Sequence, residues 1–201
     1  DEYRRGRKTS HVVFGEAMAI LAGDALLNYA FETACKAFEL EPADQNVARA
    51  FTILAKKAGV NGMIGGQVVD VEMTGKQMSG DQLHFVYENK TGALIEASMM
   101  IGAVLAGATE DELKQVEMIA SDIGLAFQIQ DDLLDILGDS AVLGKPVCSD
   151  EENGKVTYVT VHGLEESKKD VAERSKRAVT RLDQLPYKNE VLDELILELV
   201  N

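Results

Sequence analysis

The sequence predicts an all-α protein, and three observations carry that reading. Good helix formers (Ala, Leu, Glu, Lys and Met) dominate, while the 201 residues include only 3 Pro and no Trp. Long runs such as Ala17 to Ala34 hold no Pro and no alternation of apolar and polar residues. Helix start and stop signals then recur at helical spacings, among them Pro42, Gly59 and the pair Thr109 and Glu112.

Taken in order, DEYRRGRK at the start is a dense mixed-charge cluster. A long helix follows from about Val12 to Leu40, apolar nearly all round, which predicts a central, buried helix. Pro42 suits the first turn of a second helix, which runs to Lys57 and stops at Gly59. Met63 to Met73 reads as helix, and Thr74 to Gly80 as loop. Helical periodicity resumes at about Asp81 and runs to Ala106, interrupted at Lys90, Thr91 and Gly92. A capping box of Thr109 and Glu112 opens a helix to about Leu137. A polar loop, GDSAVLGKPVCSDEENGK, leads to tail helices from Glu165 to Leu185 and from Asn189 to Val200. Ahead of these two helices, Lys155 to Val161 alternates as a strand would. Without repeats, low-complexity segments or a linker, residues 1–201 read as a single domain.

The formal net charge is −14, with 20 basic against 34 acidic residues. Such a surface repels nucleic acid and anionic lipid, so neither is an expected partner. An anionic substrate then needs metal ions or a local basic patch. Cys35 and Cys148 are too few and too far apart in sequence for a disulfide scaffold, which points to a reducing compartment. No secretory signal and no uncharged apolar run of spanning length is visible, so the expectation is a soluble, cytoplasmic protein without stable membrane insertion.

The strongest chemical signal is FQIQDDLLD, 127–135. Asp131 and Asp135 are four apart and share one helix face, where two carboxylates repel. No Lys or Arg lies between Leu125 and Leu143 to neutralise them. Two readings stand: a Mg²⁺ site, since Mg²⁺ takes one or two carboxylates plus waters and phosphate oxygens, or an ordinary charged patch near a helix end. Arg4 and Arg5 are either phosphate forks or a basic, frayed terminus. Lys90-Thr91-Gly92 either breaks the helical ladder and turns polar groups inwards, or is a loop between two short helices. Lys145 and Lys155, in the polar loop, mean nothing alone. Together these groups are the equipment for holding a diphosphate while it leaves.

With these residues in view a family resemblance is plain. FQIQDDLLD resembles the second aspartate-rich motif of trans-isoprenyl (polyprenyl) diphosphate synthases, and RRGRKTSH looks like the segment that follows their first one. GEAMAILAGDALL, GGQVVD and KTGALIEASMMIGA match the family in the same order, most closely its bacterial short-chain, farnesyl diphosphate synthase (geranyltranstransferase) type. The resemblance implies an antiparallel helix bundle around a central apolar cavity, the isoprenoid synthase fold, usually as a homodimer, and makes Lys155 to Val161 helical despite its alternation. It implies Mg²⁺-assisted condensation of isopentenyl diphosphate with an allylic diphosphate (dimethylallyl or geranyl) to give farnesyl diphosphate.

Residue by residue, the resemblance implies that Asp131 and Asp135 bind Mg²⁺, with Asp132 in support. Arg4 would contact the allylic diphosphate and Arg5 that of isopentenyl diphosphate; Lys90 and Lys145 would clamp the departing diphosphate. Thr91 and Gln128 would turn oxygens towards the allylic cation, Lys155, Asp70 and Asp150 would support the metal cluster, and His11 would order the arginine loop. The family's first aspartate-rich motif lies upstream of RRG, and the sequence starts after it, at Asp1. The chain therefore reads as the C-terminal two-thirds of a synthase domain, and the 201 residues alone are expected to show negligible condensation. A longer-chain (geranylgeranyl or polyprenyl) synthase, a terpene cyclase or squalene-type sister enzyme, and a non-catalytic regulatory subunit of a heteromeric synthase are the alternatives.

Overall fold

The computed structural model of the protein describes residues 2–4, 6–137 and 156–200, with side chains as far as residue 198. Among these residues the chain is helical apart from one small hairpin. Strand β1 (Tyr3–Arg4) pairs antiparallel with β2 (Arg7–Lys8). Thr9 closes the hairpin, its N–H and its hydroxyl donating to the Glu2 carbonyl at 2.9 and 3.2 Å.

The long helix expected next is divided. Gly15, at φ 83°, adopts a left-handed conformation that glycine reaches without strain, and it separates α1 (Ser10–Phe14) from α2 (Glu16–Leu40). The expectation that this helix is central and buried is corrected: no residue of α2 is buried, and Leu26 is 71% exposed. Apolar residues all round say that a helix favours burial, not what covers it. Among the described residues α2 packs chiefly against α1 and α3 (Gln45–Ala58), where Phe31 and Phe38 meet Phe51 edge-on.

Asp44 caps α3 by accepting the Asn46 amide at 2.8 Å, so this helix starts after Pro42 rather than at it. Helix α4 (Met63–Glu72) follows, then α5 (Gly80–Val86), opened by reciprocal bonds between Ser79 and Gln82. The interruption expected at Lys90-Thr91-Gly92 is not a loop. Helix α5 runs straight into a π-helical turn, Tyr87–Gly92, and on into α6 (Ala93–Leu105). Thr109 and Glu112 form the expected capping box of α7 (Glu110–Leu137).

The strand-like alternation after residue 155 resolves as a short helix, α8 (Tyr158–His162). Its local reason is a cap in which the Thr157 hydroxyl accepts the Thr160 amide and the Thr160 hydroxyl accepts the Thr157 amide. Helices α9 (Leu164–Leu182) and α10 (Glu190–Val200) complete the tail. No described helix is long and apolar enough to cross a membrane.

The central helix is α7. It contributes to each of three buried clusters: Leu113 and Val116 in one, Ile119 and Ile123 in the second, Leu125, Ala126, Ile129 and Leu133 in the third. Burying each of its three core isoleucines stabilises the fold by about 1.5–3 kcal/mol. Charged groups then fix its neighbours. Lys57 of α3 bonds Glu96 of α6 and Glu117 of α7. Asp122 of α7, 5% exposed, accepts from Arg177 and Arg181 of α9, with Arg174 at 3.8 Å.

The π turn is held between two helices at points with no side chain. A Cβ on Gly66 of α4 would lie 2.3 Å from the Lys90 amide nitrogen, and one on Gly124 of α7 would lie 2.9 Å from the Gly92 Cα. Gly66→Ala is therefore expected to cost about 1–3 kcal/mol in a urea melt, because backbone must move to admit the methyl. Gly102→Ala, where a Cβ meets nothing within 4 Å, is expected to gain up to about 1 kcal/mol from helix propensity.

Candidate functional site

Helix α7 carries the site as a stripe. Gly124, Gln128, Asp131 and Asp135 are spaced four, three and four residues apart, which places them on one face over three turns. At the first of these positions the helix touches the π turn, backbone to backbone, at Gly92. One turn on, the Thr91 hydroxyl donates to Gln128 Oε1 at 2.7 Å. The two carboxylates stand on the next two turns. Beside Thr91, Lys90 Nζ lies 2.5 Å from Asp70 Oδ2 of α4. A π turn is wider than an α turn and rotates the residues after it, a distortion frequent at functional sites. Here it turns Lys90 towards α4 and Thr91 towards α7.

Asp132 points elsewhere. It lies about 100° round the helix from Asp131 and is 4% exposed. Its Oδ2 accepts from the Tyr87 hydroxyl and, at 2.8 Å, from the Tyr158 backbone amide. The same amide also approaches the Tyr87 oxygen at 3.2 Å, and the two tyrosine rings stack at 6.5 Å. Asp135 is buried too, at 2% exposed, while Asp131 is partly exposed.

The structure thus brings together Lys90, Thr91, Gln128 and Asp70 and sets Asp131 and Asp135 on the stripe that carries Gln128. Arg4 lies exposed on the hairpin, without a hydrogen bond or ion pair to either carboxylate. His11 is exposed on α1, and the bonds that close the hairpin come from Thr9. Arg5, Lys145, Asp150 and Lys155 lie outside the described residues. Tyr87 and Tyr158 were not singled out in the sequence. The one sequence signal for them is Asp132 itself: it stands at the edge of the stripe, four residues after Gln128 and three before Asp135, and a carboxylate packed inside the bundle requires buried donors.

The donor set suits a hard cation. Among the described residues no three His, Cys, Asp or Glu side chains form a ready metal cage. Mg²⁺ does not require one, since one or two carboxylates suffice where substrate oxygens and water complete the shell. Asp131 and Asp135 fit that description.

Comparison with known proteins gives this arrangement its family. The sequence profile of the polyprenyl synthetase family matches residues 1–196. The chain belongs to that family. It is 42% identical over 199 residues to the farnesyl diphosphate synthase of Escherichia coli (strain K12), covering 98% of this chain and 66% of that protein. It is 41% identical over 187 residues to a geranylgeranyl diphosphate synthase of Cyanophora paradoxa, covering 91% and 62%. Among solved structures, geranylgeranyl pyrophosphate synthetase from Pyrococcus horikoshii Ot3 superimposes with a TM-score of 0.89 at 28% identity, covering all of this chain and 72% of that one. A Helicobacter pylori geranyltransferase complexed with magnesium and isoprenyl diphosphate gives 0.81 at 31% identity, over all of this chain and 65% of that one. The chain spans less than two-thirds of the length of the curated synthases it matches here, 62% and 66%.

Within this family member the ionisation of Tyr158 reports on the buried cluster. Burial first, and its 2.6 Å bond to Asp170 second, push the Tyr158 hydroxyl up to about 12 from an ordinary value of 10.0. A raised phenol stabilises the fold while neutral. The contribution is complete below the unfolded value, near pH 10, and is lost as pH rises towards 12. Thermal melts between pH 9 and pH 12 (about the range spanned by the two values) are expected to fall less steeply for Tyr158→Phe than for the wild-type protein.

Proposed function

We propose that the protein transfers prenyl groups, condensing isopentenyl diphosphate with an allylic diphosphate to give farnesyl diphosphate. The observation that carries this reading is the α7 stripe of Gln128, Asp131 and Asp135 set against a π turn that presents Lys90 and Thr91. Carboxylates on one side and an ammonium group on the other suit a diphosphate that must gain charge as its bond to carbon breaks.

Asp131 and Asp135 would hold Mg²⁺, which when bound neutralises charge developing on the leaving diphosphate. Lys90 supplies a second positive group from the opposite wall, and the Asp70 carboxylate keeps its ammonium ordered. Thr91 donates its proton to Gln128 Oε1, so the lone pairs of the Thr91 oxygen remain for a neighbouring carbocation. Arg4, Arg5, Lys145 and Lys155 are assigned the remaining diphosphate contacts, on the resemblance of the segments in which they stand. Asp132, held as it is by Tyr87 and Tyr158, is assigned a structural place between the walls and no contact with metal or diphosphate.

The exposed apolar residues of α2, such as Met18, Ile20 and Leu21, make up the face through which a homodimer would form. Chain length has a second reading, because the farnesyl and geranylgeranyl synthases above are almost equally similar to this chain. Analysis of the products formed from isopentenyl and geranyl diphosphates with Mg²⁺ decides between them. In the same assay on the full-length protein, Asp131→Ala is expected to lower turnover on the order of a hundredfold or more, with little change in melting temperature. Turnover like that of the wild type would overturn the metal assignment.

A further inference from the structure

The diphosphate site has two walls that belong to different parts of the chain. Lys90 and Thr91 ride on the π turn, while Asp131 and Asp135 ride on α7. Something must set the distance between these walls. Thr91 and Gln128 share a hydrogen bond, but both side chains are only partly buried and lie within the site itself. Among the described residues, Tyr87 makes a buried connection. It is the first residue of the π turn, three positions before Lys90, and its hydroxyl donates to Asp132, the neighbour of Asp131. Asp132 Oδ2 also accepts the first amide of α8, so three elements converge on one carboxylate oxygen.

The chemistry of these groups singles out the hydroxyl. A carboxylate at 4% exposure is costly unless donors satisfy it. Losing one donor leaves the charge to seek another. Three core clusters and the Asp122 arginines hold α7, so the element that yields is the π turn, and a shift there moves Lys90 relative to Asp131 and Asp135. The glycine contacts at Gly66 and Gly124 fix how closely the backbones approach, but a contact without side chains resists sliding and rotation weakly. A directional hydrogen bond resists both.

We propose that Tyr87 is a positioning residue: its hydroxyl, through Asp132, fixes the register between the lysine wall and the carboxylate wall of the diphosphate site. On this view Asp132 is an anchor inside the helix bundle and not a metal ligand. The proposal rests on the reading of the site given under Proposed function.

The test is calorimetric titration of inorganic diphosphate in the presence of Mg²⁺ into wild-type protein and four variants. Tyr87→Phe removes one oxygen atom and is expected to weaken binding about tenfold, the usual scale for a group that orients a ligand's neighbour. Val86→Ala, in the same buried cluster, controls for general loosening. It is expected to lower the melting temperature and leave the affinity within about threefold of wild type. Asp132→Asn keeps an acceptor for the Tyr87 hydroxyl and is expected to bind within about threefold of wild type, whereas Asp131→Asn is expected to lose more than about tenfold.

Unchanged affinity in Tyr87→Phe, or an equal loss in Val86→Ala, overturns the positioning role. A loss in Asp132→Asn as large as that in Asp131→Asn overturns the anchor and makes Asp132 a ligand. If wild-type protein binds no diphosphate with Mg²⁺, the diphosphate site itself is wrong and the inference falls with it. Should Tyr87→Phe fail to fold, the Asp132→Asn and Asp131→Asn pair still decides between anchor and ligand.

Discussion

The structure depends on one helix being buried almost all round while carrying acidic side chains. Helix α7 joins all three core clusters, yet it also bears Asp122, Asp131, Asp132 and Asp135. Each carboxylate within such a helix must be answered, and the described ones are answered differently. Asp122 meets arginines of α9, and Asp132 meets a phenol and a backbone amide. Asp131 and Asp135 share the face that leads past Gln128 to the π turn. Angle divides them only in part, because Asp132 stands four residues after Gln128 and three before Asp135; the donors supplied by Tyr87 and Tyr158 draw it into the core.

Much of this was legible in the sequence, for reasons that particular residues show. The start of α7 was readable because Thr109 and Glu112 satisfy its first amides locally, and no distant contact is needed. The shared face of Gln128, Asp131 and Asp135 was readable because helical spacing is local too. What could not be read was set by partners remote in sequence. Tyr158 lies in a segment whose alternation suits a strand, and only the Thr157 cap and the packing against Tyr87 make it helical. The π turn at Lys90 looked like a break because periodicity registers an inserted residue as a loss of phase and not as a wider turn. The close approach that accommodates it depends on Gly66 and Gly124, 24 residues before and 34 after Lys90.

The expectation for α2 failed in an instructive way. Its sequence is more uniformly apolar than that of α7, yet it is α7 that is buried. Hydropathy measures what a helix gains from being covered; the supply of covering surface is a property of the whole assembly. In α7 the polar residues mark the places where neighbours bring cations and donors, so its mixed character is a better sign of a central position than uniform apolarity.

The ion pair between Lys90 and Asp70 bears on how tightly a phosphate group can be held. An anion drawn to the lysine shares it with a carboxylate already 2.5 Å away, so its affinity is reduced by that internal pairing. In the diphosphate site proposed above, such sharing would keep the ammonium ordered with and without the anion and favour release of a charged product over its retention.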